Sequence, residues 1–574
     1  MSISRRCRHG SSRIISPSIS AAARRWSRPG WIALAMLVLV ATPRAAAARQ
    51  APVCRVDTLT AGFPKAWLGQ SVGQLSIDAQ TVETPGGIIG NVVRELHTRT
   101  QLWVPMNEIS LTLGSPIDSL ELLESVRRVR ATGLYTEVTV TGARCGNDPL
   151  ELTVHTRDAW SLRTNVRYGR TSSRVALTEV NLFGRALTVS ASAEKLETRS
   201  SATFGLAEPY LFGTHVRGAA YLRVFADGRA WSWSLRSPQY SPRDLWRYSV
   251  SSFQLRRYQD DGLNLTLTDI SRRADAGTAA VRWALDEHRA YAFVFGAEHE
   301  QAKIIVRQPG ARLGSPEVSR EFSAAIVGVA RRSLDVGKVN WLVPGQPNAE
   351  LPLGVEGEWV VGIGPEATTK KGIAHFDGWS GVTLLPTPTM IVTGDVWASG
   401  YGNQDSLSNG TIRAAGSIYQ HGRGGIWALR VSFERLQNPD PDVYALSMVD
   451  PVLRSLAPTT RLAESALTAS LERSFTMYSR EGRWAADAVP FIQFSERHRS
   501  VDVSNASPTN PQALLVGLGF RHLFNQPTQA TVRFDIAKTV WSAGGLSNRW
   551  VFVLSTQPWL ANGRVRDGLR EAVR

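Results

Sequence analysis

Leu187-Thr-Val-Ser-Ala-Ser-Ala-Glu194 sets apolar side chains at 187, 189, 191 and 193 against polar ones at 188, 190, 192 and 194. A period of two marks an extended strand with one apolar and one polar face. Leu162, Thr164, Val166 and Tyr168 alternate with Arg163, Asn165 and Arg167 in the same way. Val532, Phe534 and Ile536 alternate with Thr531, Arg533, Asp535 and Ala537. Residues 160–559 continue in this style, as short alternating segments divided by Gly, Asn, Asp, Ser and Pro, with no convincing long amphipathic helix.

A soluble antiparallel sandwich would also alternate. Two features of this region favour a membrane barrel. The segments have the ~9–11 residues that a tilted strand needs to cross a bilayer. Trp231, Trp233, Trp283, Trp341, Trp427, Trp541, Trp550 and Trp559 are spread along it, as interfacial girdles require. A watery lumen would then receive Arg163, Arg167, Arg521, Arg533 and Asp535, which a packed core could not hold. At about 25 residues per strand with its loop, the region predicts 16 strands, an even number that returns the chain to its starting side. The last strand is expected at Trp550–Trp559, followed by a polar tail, Leu560–Arg574.

Upstream, residues 69–158 read as a small α+β domain. Ser115 is expected to cap a helix with Pro116 at its first position and Asp118 in its first turn. Leu120, Leu122, Leu123, Val126 and Val129 supply the apolar face, and Gly133 ends it. Strands are expected at Val72–Val82, at Tyr135–Thr141 and around Leu150, Leu152 and Val154, with a first helix at Ile88–Leu96. The fold class is therefore mainly β: a 16-stranded antiparallel transmembrane β-barrel preceded by one small α+β domain, with residues 49–68 as a linker.

The N-terminus supplies a third argument for the membrane barrel. A basic stretch to Arg28 precedes the apolar run Trp31–Ala41, and Ala45–Ala48 offers a cleavage site. Residues 1–48 thus read as a secretory signal peptide. The apolar run is too short to span a bilayer as a helix; the alternative is a retained N-terminal anchor. The formal net charge of +16 suggests nucleic acid, but eight Arg lie in residues 1–48, with no Asp, Glu or Lys. The remaining positive charge forms no dense block, which argues against nucleic-acid binding. A mean hydropathy of −0.14 is too low for a helical membrane protein. Export leaves Cys54 and Cys145 as an even pair in an oxidising compartment, either bridged or as two independent thiols.

Arg127-Arg-Val-Arg-Ala-Thr-Gly-Leu-Tyr-Thr-Glu-Val-Thr-Val140 resembles the helix-to-strand signature of a polypeptide-transport-associated (POTRA) domain. Thr178-Glu-Val-Asn-Leu-Phe-Gly184 and Glu208-Pro-Tyr-Leu-Phe-Gly213 resemble the first barrel strands of the BamA/TamA family of outer-membrane assembly factors, the bacterial surface antigen family. Leu515-Val-Gly-Leu-Gly-Phe-Arg521 and Thr531–Ala537 are similar to that family's penultimate strands. The resemblance implies the cell outer membrane, a domain in the periplasm and a weak seam where the first strand meets the last. It implies outer-membrane lipid, unfolded or nascent outer-membrane proteins, and periplasmic chaperones or accessory lipoproteins as partners. It also implies a loop lock, in which a loop Arg folds into the lumen onto an acid. The candidate is Arg454 in Leu453-Arg-Ser-Leu456, although the Gly and the aromatic of the family's motif are missing there. Glu472 is the acid partner by its inward parity, and Glu496 stands where the next strand's acid is expected; the alternative for Arg454 is an ordinary solvated loop residue.

The sequence carries no H-E-x-x-H, no G-x-S-x-G, no P-loop and no Cys/His cluster. No enzyme activity, cofactor or metal is expected. Three roles fit: assembly and insertion of proteins into the outer membrane through the seam, secretion of one partner protein through the lumen, or a passive channel or structural barrel.

Overall fold

A computed structural model describes residues from 54 to 555, leaving out chiefly 60–62, 83–94, 261–266, 308–316, 342–348, 439–460, 525–529 and 544–549. The expected leader, Arg454, the end of the last strand at Trp559 and the polar tail lie outside the described residues, as does the expected helix Ile88–Leu96 except Glu95.

Residues 54–158 form a four-stranded sheet with helices. The elements are β1 (Cys54–Leu59), β2 (Val72–Gln80), α1 (Trp103–Asn107), α2 (Ser119–Ala131), β3 (Tyr135–Cys145) and β4 (Leu150–Asp158). The sheet order is β1-β3-β4-β2, with β2 parallel to β4 and the other pairs antiparallel. The stretch expected as a linker thus contributes β1, and a disulfide joins Cys54 to Cys145, its register partner on β3.

Helix α2 starts later than the Ser115 cap predicts. Its N-cap is Asp118, whose carboxylate accepts from the Leu120 amide at 3.0 Å. Ser115 and Pro116 are drawn to β2 instead: the Ser115 carbonyl takes the Val72 amide at 3.1 Å, and the Ile117 amide donates to Gln70 at 2.8 Å. That sheet extension fixes extended backbone before the helix can begin. Leu122, Val126 and Val129 pack with Val138, Val140, Leu150, Leu152 and Val154 into the domain core. Gly133, at φ +66°, follows the helix end.

The remaining chain closes one antiparallel barrel, from Leu162–Tyr168 to Trp550–Ser555. Ser465–Arg473 and Phe475–Arg480 both pair with Trp484–His498 and continue each other across Ser474, so they count as one strand. On that count the barrel has about 20 strands, and the expectation of 16 is corrected. The reason is turn length. Phe225 and Gly228, Thr387 and Met390, and Gly422 and Gly425 are joined by two residues each, so a strand with its loop takes about 20 residues rather than 25.

Outward positions are apolar around the circumference. Val175, Leu177, Phe204, Leu206, Phe293, Phe295, Val361, Leu429, Leu518, Phe520, Phe552 and Leu554 are all exposed, with Trp231, Trp233, Trp246, Trp283, Trp427, Trp541 and Trp550. Inward positions carry the charges. Trp341 departs from the expected girdle. It lies within a small hairpin, just after the first of its two strands (Val336–Val339 paired with Ala349–Pro352), inserted between two barrel strands. Val339 packs against the inward-facing Ile391, Tyr419, Ile426 and Ala428, so the hairpin folds against the inner wall. The Trp341 indole stacks on His421 and donates to the Pro388 carbonyl at 2.8 Å.

Candidate functional site

The barrel closes at its first and last strands. Among the described residues this seam pairs only Leu554 with Tyr168 and Ser555 with Arg167. A barrel strand that parts from its neighbour presents an edge that is a template for another strand.

A charged cluster lines the lumen wall. Glu472 is 2% exposed. It accepts from Arg430 at 3.2 Å and Arg533 at 3.0 Å, and also from Arg521. Arg533 bridges on to Asp535 at 2.8 Å. These residues alternate with outward Leu429, Leu471, Phe520 and Phe534, which explains their common inward direction. In the segment Leu515–Arg521 the glycines make room for the cluster. A Cβ on Gly517 would strike the Phe491 ring, and one on Gly519 the Asp535 carboxylate. Phe491, Ala513, Leu515 and Ala537 form a buried apolar patch beside it.

Of the residues expected on the lumen face, Arg521, Arg533 and Asp535 converge here with Glu472. Arg163 does not; its guanidinium donates to the Gly133 carbonyl of the small domain at 2.8 Å. The Arg167 side chain lies outside the description. Glu496 is apart from the cluster and accepts from Gln512 at 2.8 Å. Arg430 was not anticipated, although Trp427-Ala-Leu-Arg-Val-Ser-Phe-Glu434 alternates plainly enough to have placed it inward. A second inward cluster was also missed: Glu300 receives Arg320 at 3.2 Å and Tyr401, while His375 stacks on Tyr401 and bonds Glu298 at 2.8 Å. No group of three His, Cys, Asp or Glu among the described residues is placed to hold a metal. No described helix is long and apolar enough to cross a membrane.

The small domain docks on the turns at one barrel end. The Gln101 amide donates to the Gly184 carbonyl at 2.9 Å, and its side chain to Phe183 at 3.0 Å. Buried Asn181 donates to Thr100 at 2.9 Å and accepts from the Ala186 amide at 2.9 Å. The Tyr210 hydroxyl donates to buried Glu108 at 2.6 Å, and its ring meets Trp103 edge-on at 5.3 Å. Glu124 on α2 pairs with Arg332, and Arg127 donates to the Leu334 carbonyl at 3.1 Å, at the root of the inward hairpin. Burial, with the Asp158 and Glu108 carboxylates, pushes the Tyr135 phenol above its usual range, so it stays neutral.

Gly184 has two reasons to be glycine. Its φ is +71°, and a Cβ would overlap the Arg99 carbonyl oxygen. Gly184→Ala is expected to loosen the dock by about 1–2 kcal/mol through the backbone conformation alone, with the Arg99 collision in addition. Hydrogen exchange at the Gln101 amide checks this; unchanged protection would refute it.

No family model and no curated protein matches the chain. Solved structures similar over most of it include the following three. BamA from Haemophilus ducreyi, lacking POTRA domains 1–3, has 10% identity over 88% of this chain and 90% of that one, with a TM-score of 0.32. CdiB from Acinetobacter baumannii has 9% identity over 88% and 77%, at 0.38. CdiB from Escherichia coli has 10% identity over 87% and 80%, at 0.39. At these scores no activity or residue role is carried over from any of them.

Proposed function

We propose that the chain is an outer-membrane β-barrel that assists assembly and insertion of other proteins into that membrane through its first–last seam. The observation that carries this reading is the join itself: the first barrel strand, Leu162–Tyr168, closes the barrel by antiparallel pairing with the last, Trp550–Ser555. If Leu162–Tyr168 and Trp550–Ser555 part, an incoming strand would add to the edge so exposed and form ladder hydrogen bonds with it. Hydrogen bonding and apolar burial drive the step, so neither a nucleotide nor a cofactor is required. The apolar outer surface suits lipid, and the small domain, taken as POTRA-like and periplasmic, meets unfolded outer-membrane proteins. Periplasmic chaperones or accessory lipoproteins would deliver them.

Secretion through the lumen and passive conduction are less well supported. Glu434, Gln493, Glu472 and Leu515 point inward and are nonetheless buried, which argues against an open conduit along that wall. Arg454 belongs to the reading as the lock of its loop. Glu472 already holds three guanidinium groups, whereas the described partner of Glu496 is the neutral Gln512, so Glu496 is the better acceptor for it.

Depletion in cells tests the proposal. Loss of many barrel proteins from the outer membrane is expected. Loss of one exported protein would replace it with the secretion reading, and altered solute permeability alone with the channel reading.

A further inference from the structure

Two turns of the barrel end share a sequence and a shape. Asn181-Leu-Phe-Gly184 and Tyr210-Leu-Phe-Gly213 each place Phe and Gly in the left-handed region, Phe183 at φ 60° and Phe212 at φ 54°. A bulky aromatic in that region is a genuine outlier. Neither ring is withdrawn into the protein: Phe183 is 65% exposed and Phe212 93%. Strain kept at two equivalent tips, both presenting a phenylalanine outward, points to something that the rings meet.

Helix α1 lies between the tips. Gln101, two residues before it, bonds Phe183 and Gly184, and its Trp103 packs on Tyr210, two residues before Phe212. It adds exposed Leu102, immediately before α1, at 52% and Met106 at 39%. Arg99, Arg185, His215 and Arg217 neighbour these apolar residues in sequence and are exposed or half-exposed. The turns lead directly from strands whose outward residues are Val175 and Leu177, and Phe204 and Leu206. The patch therefore continues the barrel's apolar belt downward and onto the small domain, with cationic side chains at its border.

We propose that Phe183, Phe212, Leu102 and Met106 form a membrane-surface anchor that seats the small domain against the phospholipid leaflet on the domain side of the barrel. The occupant is lipid, by continuity with the belt and by the match of Arg and His to phosphate headgroups. The inference rests on the membrane-barrel reading of the belt. It goes beyond that reading in giving the small domain itself a lipid contact.

The test places an environment-sensitive fluorophore at Met106→Cys in the full chain, with Cys7→Ser and the native disulfide intact. The protein is reconstituted in vesicles of phosphatidylethanolamine and phosphatidylglycerol. A second sample carries the probe at Leu206→Cys on the belt. Both probes are expected to emit blue-shifted light and to lose most of it to lipid spin-labelled near the headgroup. Phe183→Ser with Phe212→Ser should return the Met106 probe to water-like emission and leave the Leu206 probe unchanged. Water-like emission at Met106 with lipid-like emission at Leu206 would overturn the anchor alone. Water-like emission at both would overturn the membrane reading and the anchor with it.

Discussion

Tyr168→Cys with Leu554→Cys, oxidised across the seam, is expected to leave the barrel folded and abolish the assembly activity proposed for it. The two residues are directly paired in the antiparallel register. Opposite residues in such a pair have Cα atoms about 4.5–5.5 Å apart, within the span of a disulfide. The bond would change no lumen group and would hold the two edges together. If an incoming strand must reach those edges, the oxidised protein cannot work, and adding reductant should restore it. Leu206→Cys with Ala220→Cys is the control, since those residues pair between two neighbouring strands well away from the seam. The readout is the level of folded outer-membrane proteins in cells that depend on the variant. Full activity of the oxidised seam variant would sink the proposal, provided the bond is shown on a gel.

Glu472→Ala is expected to destabilise the barrel by about 3 kcal/mol or more, the range seen when one member of a buried ionic cluster is removed. The glutamate bonds both Arg430 and Arg521, and it shares Arg533 with Asp535. Its loss leaves guanidinium groups facing each other in a site with little solvent access. The midpoint of the heat-induced shift from folded to unfolded mobility on a gel reports the loss. Combining Glu472→Ala with Arg521→Ala should cost less than the sum of the single changes, because a like-charge repulsion is relieved. Simple additivity would mean that the cluster contributes little.

Much of this was readable from alternation. Leu162–Tyr168 is a strand over those residues, and the inward parity of Glu472, Arg521 and Arg533 follows from their neighbours. Parity fixes which side a residue faces; it does not say which residues meet across the lumen. The convergence of Arg430 and Arg533 on one carboxylate depends on how strands from three parts of the chain come together. The strand count failed because an average loop length hid two-residue turns such as Ala226-Asp227. The inward hairpin was invisible for another reason. Val336–Val339 looks like any short strand, and only the apolar wall of Ile391, Tyr419 and Ile426 draws it inside. The start of α2 moved because Ser115 and Pro116 found partners on β2, a tertiary effect that local capping preference cannot anticipate.

The seam has a kinetic side as well. Arg167 and Ser555, which it joins, stand about 390 residues apart in the chain. Among the described residues, every other barrel pairing closes a much shorter loop. The entropy of loop closure grows with that separation, though slowly, and contacts of the longest range tend to be the last made. On the proposed reading, such a barrel completes itself at the seam after its other ladders exist, and parts there again while they persist. The bond that finishes folding would then be the one that each round of assembly gives back.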